Sequence, residues 1–139
     1  MNKATQEQLR ARHAWNVVDK ACNQRSKDFA GDFAAEVKRL PIRIRTVGLG
    51  QAIRFVLAKS KNDDHRSYLL IALGEWLLKE QKLDTRHRNG SIDGSALILA
   101  IINNDANFLR RATEESLLYL QWLTRFCEAT IKENGSESE

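Results

Sequence analysis

The sequence is poor in residues that interrupt helices: its 139 residues include one proline, Pro41, and seven glycines. Alternation of apolar and polar residues, the pattern of a half-buried strand, is absent over any useful length. Apolar residues instead recur at intervals of three and four, the spacing of one face of a helix. A chain of this length favours a single domain. We therefore predict an all-α fold, a single compact bundle of five or six helices with a long last helix.

Cysteine and histidine are scarce and scattered. Cys22 and Cys127 are far apart and form no CxxC pair, so they indicate two buried thiols rather than a metal site or a disulfide framework. His13, His65 and His87 lie in three separate elements, and none is three or four residues from another histidine or a cysteine. Neither a zinc site nor any other cofactor is predicted.

Long apolar runs are missing as well. The longest extends from Ala96 to Ile102, whereas a membrane-spanning helix needs about 20 residues. The N-terminal residues MNKATQEQLRAR are polar and are not a signal peptide. We therefore expect a soluble, cytoplasmic protein without a membrane partner.

Catalytic motifs are also absent. Gly48-Leu49-Gly50-Gln51 lacks the third glycine and the preceding strand of a phosphate-binding loop. Asp63-Asp64-His65 and Glu75 could supply the carboxylates of a magnesium nuclease. A helix cap together with solvated surface residues explains them better. Glu114 and Glu115 lie near the start of a helix, where negative charge offsets the helix dipole. We predict no catalytic residue and do not expect an enzyme.

The most informative absence is that of acidic residues between Val37 and Asn62. This basic window contains Lys38, Arg39, Arg43, Arg45, Arg54, Lys59 and Lys61. Residues 1–66 hold 14 Lys and Arg against 7 Asp and Glu, a net of +7, whereas residues 67–139 hold 8 against 11, a net of −3. Since most of these cations have no acidic partner four residues on, we expect a surface that contacts phosphates. Such contacts supply affinity rather than sequence specificity.

Caps and periodicity predict six helices, at about 5–23, 26–47, 51–60, 62–82, 96–103 and 105–132. Pro41 should kink the second helix or divide it into two collinear pieces, and Gly48-Leu49-Gly50 should end it in a turn. The helical domain then covers residues 1–132, followed by an acidic tail, 133–139, that we expect to be disordered. The polar loop from Leu83 to Gly94 is a candidate contact arm.

The apolar face of each helix identifies its predicted core residues. In the first helix they are Ala11, Trp15, Val18 and Cys22; in the second they are Phe29, Phe33, Val37, Leu40, Ile44 and Val47. The last helix carries Leu109, Ala112, Ser116, Leu120, Leu123 and Cys127 in one stripe, with Leu117, Trp122 and Phe126 off it. A helix that is apolar on more than one side is central to a bundle or contacts another subunit. Aromatic residues such as Trp15 and Phe55 are expected in the core rather than stacked on bases.

Three stretches together resemble a known family. They are Arg39-Leu40-Pro41-x-x-Ile44-x-x-x-Gly48-Leu49-Gly50-Gln51-x-x-x-Phe55, then Leu73-x-Glu75-Trp76-Leu77, then Arg110-Arg111-Ala112-Thr113-Glu114-Glu115-Ser116-Leu117-x-x-Leu120-x-Trp122-Leu123-x-Arg125-Phe126. Their order and spacing resemble the small helical subunit of Cmr-type (type III-B) CRISPR RNA-guided effector complexes. Ser116 stands where alanine is usual in that family, which leaves the assignment intact.

The resemblance implies a role that composition does not show. Members of that family are non-catalytic, and several copies stack as a minor filament along the backbone subunits that hold the guide RNA. The implied partners are the other Cmr subunits, especially the backbone subunit, neighbouring copies of the same chain, and guide and target RNA. The RNA-binding candidates are Lys38, Arg39, Arg43, Arg45, Arg54 and Lys59, with Arg110, Arg111 and Arg125 as second choices.

Three other interpretations stay open. The small subunit of the related Csm branch is also helical and basic. A small helical DNA-binding regulator would need a recognition helix after a short turn, which the sequence around Pro41 and Gly48 does not clearly supply. A metal-dependent nuclease would depend on Asp64 and Glu75.

Overall fold

The computed structural model describes residues 3–84 and 92–131, and within these ranges the backbone forms helices and no strand. The helices are α1 (Gln6–Gln24), α2 (Lys27–Val47), α3 (Leu49–Lys59), α4 (His65–Gly74), α5 (Gly94–Ile102) and α6 (Ala106–Thr130). A π-helical segment, Glu75–Glu80, continues α4 directly. The predicted all-α fold with a long last helix is confirmed, since α6 has 25 residues.

Two predictions fall on parts of the chain that are not described. The acidic tail at 133–139 lies outside the described residues, as do residues 85–91 of the polar loop. None of the described helices is both long enough and apolar enough to cross a membrane.

Side-chain caps explain where most of the helices begin. Thr5 Oγ1 accepts a hydrogen bond from the Gln8 N–H, and Gln8 Oε1 accepts one from the Thr5 N–H, which is the predicted capping box. Ser26 Oγ likewise accepts from the third residue of α2. The caps of α4, α5 and α6 are Asp64, Asp93 and Asp105. Each cap satisfies a backbone donor that the helix leaves unpaired, which contributes about 1 kcal/mol.

A single glycine separates α2 from α3. The helix α2 continues through Pro41 as one element, so the alternative of two separate pieces is excluded. Gly48 then adopts a φ of +90°, a backbone conformation that glycine reaches without strain. Its N–H still donates to the Ile44 carbonyl at 2.8 Å. Leu49 and Gly50 belong to α3 rather than to the turn, so the predicted three-residue turn is shorter than expected.

Helix α6 is central to the bundle. It packs most extensively against α1 and α2, and it also touches α3 and the π-helical segment. Its buried residues are Phe108, Ala112, Ser116, Tyr119, Leu120, Leu123 and Cys127. Helix α4 packs against α2, α3 and α5 on the other side of the core. The apolar pattern of the last helix predicted either a central position or a contact with another subunit, and the packing of α6 within the chain agrees with the first alternative.

The buried face of α1 is rotated from the predicted one, although the predicted Val18 is fully buried and Cys22 packs partly buried against the core. The residues that are buried are Arg10, Ala14, Val17, Val18 and Ala21. Trp15, which lies on the predicted stripe, is 43% exposed and meets Phe126 edge-on with ring centroids 5.2 Å apart. Two of the buried residues, Ala14 and Ala21, are small, and α1 packs extensively against α6.

Three other predicted core positions are exposed. Phe55 is 41% exposed, and Val47 and Leu109 are exposed as well. Val47 and Leu109 lie near helix ends, where the apolar stripe runs past the neighbouring helix. Phe33 is fully buried as predicted, and Phe29 packs partly buried against the core.

A buried polar network joins α1, α6 and the π-helical segment. Arg10 donates from Nε to Glu115 Oε2 at 2.6 Å and from Nη2 to Glu115 Oε1 at 3.0 Å. Trp76 Nε1 donates to the same Oε2 at 2.7 Å. Glu115 was predicted to interact with the helix dipole, but its main partners are these donors on two other elements. A paired, hydrogen-bonded carboxylate can be buried at far lower cost than a lone one.

His13 lies beside this network. Its Nδ1 is 2.6 Å from the Tyr119 hydroxyl, and its Nε2 is 3.7 Å from a carboxylate oxygen of Glu75. Burial lowers the pKa of His13 below its ordinary value of 6.5, although the nearby negative charge of Glu75 acts in the opposite direction. The imidazole therefore remains neutral in the folded protein at a pH where it is protonated in the unfolded chain.

We expect the free energy of unfolding to fall as the pH is lowered from neutral through 6.5, the ordinary pKa of histidine, because the unfolded chain gains the His13 proton first. Urea denaturation at several pH values measures this change. His13→Asn removes this imidazole and should flatten the profile. Equal stability of the wild-type protein across this range would contradict the burial of a neutral imidazole.

Ser116 is fully buried, and its hydroxyl has no hydrogen-bond partner among the described residues. Ser116→Ala removes this unpaired polar group and introduces a better helix former. It should raise the free energy of unfolding by about 1 kcal/mol, measured by urea denaturation. Ser26→Ala, which removes a cap, should lower it by about 1 kcal/mol. A loss of stability in Ser116→Ala would show that the hydroxyl is satisfied.

Candidate nucleic-acid interface

The basic residues of α2 lie along two separate edges of the helix. At 100° per residue, Lys38 and Arg45 point in nearly one direction, and Arg39 and Arg43 point in another about 130° away. The first edge faces α6, and the second faces α3 and α4. The basic window therefore presents two candidate surfaces, one on either side of the exposed arc of α2.

On the first edge, a groove of about 750 Å³ runs between α2 and α6. Its apolar lining comes from Pro41, Ile42, Leu117 and Leu118. Three predicted RNA-binding residues line it as well, namely Lys38, Arg45 and Arg125. Arg125 was a second choice from the sequence, because an arginine on a central helix can instead form an ion pair with a neighbouring subunit. The pairing of these helices brings three cations together from positions far apart in the chain.

The groove also contains two carboxylates, Glu114 and Glu128. Glu114 Oε2 lies 3.6 Å from Arg110 Nη1, so that carboxylate has a basic partner on its own helix. Arg45 and Arg125 form no ion pair with any residue that the structure describes. The groove therefore retains a net positive charge.

On the second edge, a buried carboxylate holds the arginines. Glu36 is only 2% exposed, and it lies one residue before the acid-free window. Its Oε1 is 3.3 Å from Arg39 Nη1, and its Oε2 is 3.3 Å from Arg43 Nη1. Arg66 Nε approaches Oε1 from α4 at 3.8 Å. The sequence prediction considered only acidic partners four residues on, whereas the partner of Arg39 and Arg43 lies three and seven residues before them.

Arg43 also contacts an aromatic ring. Its guanidinium carbon lies 4.2 Å from the centroid of the Phe55 ring on α3. Lys59, one turn after Phe55 on the same helix, places its Nζ 5.2 Å from that centroid. Arg43 is thus held between the carboxylate of Glu36 and the face of an exposed ring, which fixes its position.

The remaining predicted residues are spread over other surfaces. Arg54 Nε donates to Gln51 Oε1 at 3.2 Å, and Arg110 Nη2 donates to Asn107 Oδ1 at 2.7 Å. Arg111 is exposed on α6. The structure therefore does not place these three arginines in the α2–α6 groove.

The acidic residues considered for a nuclease have other roles in the structure. Asp64 caps α4 and accepts from the Lys61 and Ser67 N–H groups, each at 2.9 Å. Asp63 pairs with Arg25 at 2.8 Å, and Glu75 lies beside His13. Within 3–84 and 92–131, no three His, Cys, Asp or Glu side chains lie together where they could hold a metal ion.

Comparison with known proteins agrees with the fold. The sequence profile of the family described as CRISPR-associated protein (Cas_Cmr5) matches residues 6–130. This chain belongs to the Cmr5 family. The crystal structure of a CRISPR-associated Cmr5 family protein from Thermus thermophilus is similar to it, with a TM-score of 0.73 and 26% sequence identity. The match covers 93% of this chain and 100% of that one.

Membership of the Cmr5 family confirms the resemblance that the three sequence motifs indicated. The protein is a small subunit of the type III-B Cmr kind, and its partners include other Cmr subunits. The interpretations as a Csm small subunit and as a DNA-binding regulator are thereby set aside.

The ion pairs of Glu36 should contribute to the free energy of unfolding. Glu36→Gln removes the charge that three arginines share, and it should lower the free energy of unfolding by about 2 kcal/mol. Glu114→Gln is the matched control, because it removes one partner of an exposed pair and should cost at most about 0.5 kcal/mol. Urea denaturation measures both. Equal effects of the two substitutions would show that Glu36 does not organise the arginines.

Proposed function

We propose that this chain is a non-catalytic structural subunit that contacts RNA through its basic surfaces. In this proposal several copies stack as a minor filament along the backbone subunits that hold the guide RNA. Family membership supports the filament and the neighbouring-copy contacts. The RNA contact rests on one observation, the convergence of Lys38, Arg45 and Arg125 in the groove between α2 and α6.

The groove has the chemistry of a backbone contact rather than of a sequence reader. Cations at its rim can neutralise phosphates, and the release of counterions then supplies affinity that depends on salt. Contacts of this kind position a strand without reading its bases. Sequence choice would come from pairing between guide and target, as in other RNA-guided effectors. The strand contacted is target RNA or the guide–target duplex.

The positive charge of one subunit is modest, so in this proposal the affinity for RNA comes from several copies that bind one strand together. The whole chain carries a formal charge of +4, and each groove offers only a few phosphate contacts. Copies stacked along a filament would present such grooves repeatedly to one strand. Linked weak contacts raise the overall affinity because each later contact forms at high effective concentration.

Arg45→Glu/Arg125→Glu tests the groove. In the full chain it should weaken binding to a 20-nucleotide single-stranded RNA, measured by fluorescence anisotropy across a salt series. The slope of log K against log salt should become shallower by about 1.4, since two phosphate contacts with a single strand are lost. The affinity should fall most at low salt, where screening is weakest.

Lys20→Glu/Lys79→Glu is the matched control. It changes the charge by the same amount, but these exposed lysines lie on α1 and the π-helical segment rather than in the groove. The control should lose less affinity than the groove variant. Equal losses would mean that only net charge matters, and unchanged binding in the groove variant would refute the groove as an RNA contact.

A further inference from the structure

Phe55 differs from the other exposed aromatic residue of the described chain. Phe55 and Trp15 have nearly equal exposure, but their neighbours are of opposite kinds. The Trp15 ring meets the ring of Phe126, and no described cation lies over it. The Phe55 ring has the Arg43 guanidinium at 4.2 Å and the Lys59 ammonium at 5.2 Å from its centroid. Isolated exposed apolar residues need no explanation, but an exposed ring with two cations is a more specific arrangement.

The arrangement is held in place from the core. Arg43 pairs through Nη1 with the buried Glu36 carboxylate at 3.3 Å, so its guanidinium does not move freely in solvent. The Phe55 ring projects from α3, whose neighbouring residues Ile53 and Val56 are fully buried. The cation and the ring are therefore each anchored to a different helix. Such pre-organisation reduces the conformational entropy that a ligand would otherwise have to remove on binding.

The contact between Arg25 and Phe29 is a second cation–ring contact, and its surroundings indicate a purely structural role. Arg25 lies 4.3 Å from the centroid of Phe29. Its charge is satisfied by Asp63 at 2.8 Å on the surface, and Phe29 is partly buried against the core. At Phe55 the paired carboxylate, Glu36, is buried, and two cations, Arg43 and Lys59, lie over a ring that is itself exposed.

We infer that Phe55 is a stacking platform for an unpaired base of single-stranded RNA, with Arg43 and Lys59 placed for the adjoining phosphates. This inference rests on the proposed RNA contact and adds the kind of ligand. Proteins that bind single strands without sequence preference combine a basic surface with aromatic rings on which bases stack. Every base has a π-face, so the contact would tolerate any sequence.

The two edges of α2 would then have different tasks. The α2–α6 groove offers apolar side chains and cations but no aromatic ring in its lining. Phe55 lies on the α3 side of α2, where the arginines are held by Glu36. A base within a duplex is stacked on its neighbours and is not available to the ring. Contact at Phe55 therefore selects unpaired nucleotides, whereas contact at the groove accepts any phosphate backbone.

The test compares three probes with the full chain: a 12-nucleotide oligouridylate, a base-free ribose-phosphate strand of the same length, and a blunt RNA duplex. Fluorescence anisotropy at low salt gives the affinity for each. The wild-type protein should bind oligouridylate about fivefold or more tightly than the base-free strand, because one stacked base contributes roughly this factor. Phe55→Leu should abolish that ratio and leave binding to the base-free strand and to the duplex unchanged.

Two further variants separate stacking from folding. Phe55→Trp should keep or increase the ratio, because the indole offers a larger π-face. Trp15→Leu, which alters an equally exposed ring away from the basic residues, should leave all three affinities at the wild-type value. Circular dichroism and urea denaturation verify that each variant is folded.

The outcomes distinguish this inference from the proposed function. Equal binding of oligouridylate and the base-free strand by the wild-type protein would overturn the stacking platform and leave the phosphate contact intact. No measurable binding of any probe would overturn both. Parallel losses on all three probes in folded Phe55→Leu would show that Phe55 only positions Arg43, which also overturns the inference. A wild-type ratio that persists in Phe55→Leu would mean that the base stacks elsewhere.

Discussion

The basic surface of this protein depends on a buried acid. Glu36 lies inside the bundle, where an unpaired carboxylate would be costly, and three arginines from α2 and α4 surround it. The same ion pairs connect α2 to α4, so the requirement to compensate one buried charge also sets how these helices meet. Arg66 also lies 4.0 Å from Asp64, so two carboxylates face three arginines and a net positive charge remains.

This constraint divides the cations into two physical kinds. Arg43 is held by an ion pair and a ring, so a ligand that meets it loses little side-chain entropy. Arg45 and Arg125 have no such partner among the described residues, and their long side chains can adjust to a strand of variable shape. Positioned cations suit a contact with defined geometry, and adaptable ones suit a backbone that only needs its charge neutralised.

The elements of the fold that could be predicted from the sequence are those determined locally. Thr5, Ser26 and Asp105 cap helices with donors three residues away, so their roles are readable from spacing alone. The face of α1 was not predictable, because the burial of Arg10 depends on Glu115, which is 105 residues away. The groove was not predictable for the same reason, because it depends on the pairing of α2 with α6. Glu36, the partner of Arg39 and Arg43, lies one residue before the acid-free stretch that begins at Val37.

The arrangement of the basic window in space depends on Gly48, the single residue between α2 and α3. Gly48 has a backbone conformation that ends α2 and starts α3 within a single residue, with no side-chain cap. This sharp reversal brings Phe55 back against Arg43, 12 residues earlier in the chain. A straight helix of the same composition would carry the two side chains about 18 Å apart along its axis. The contact between cation and ring is therefore a consequence of the turn, which charge counting along the sequence cannot detect.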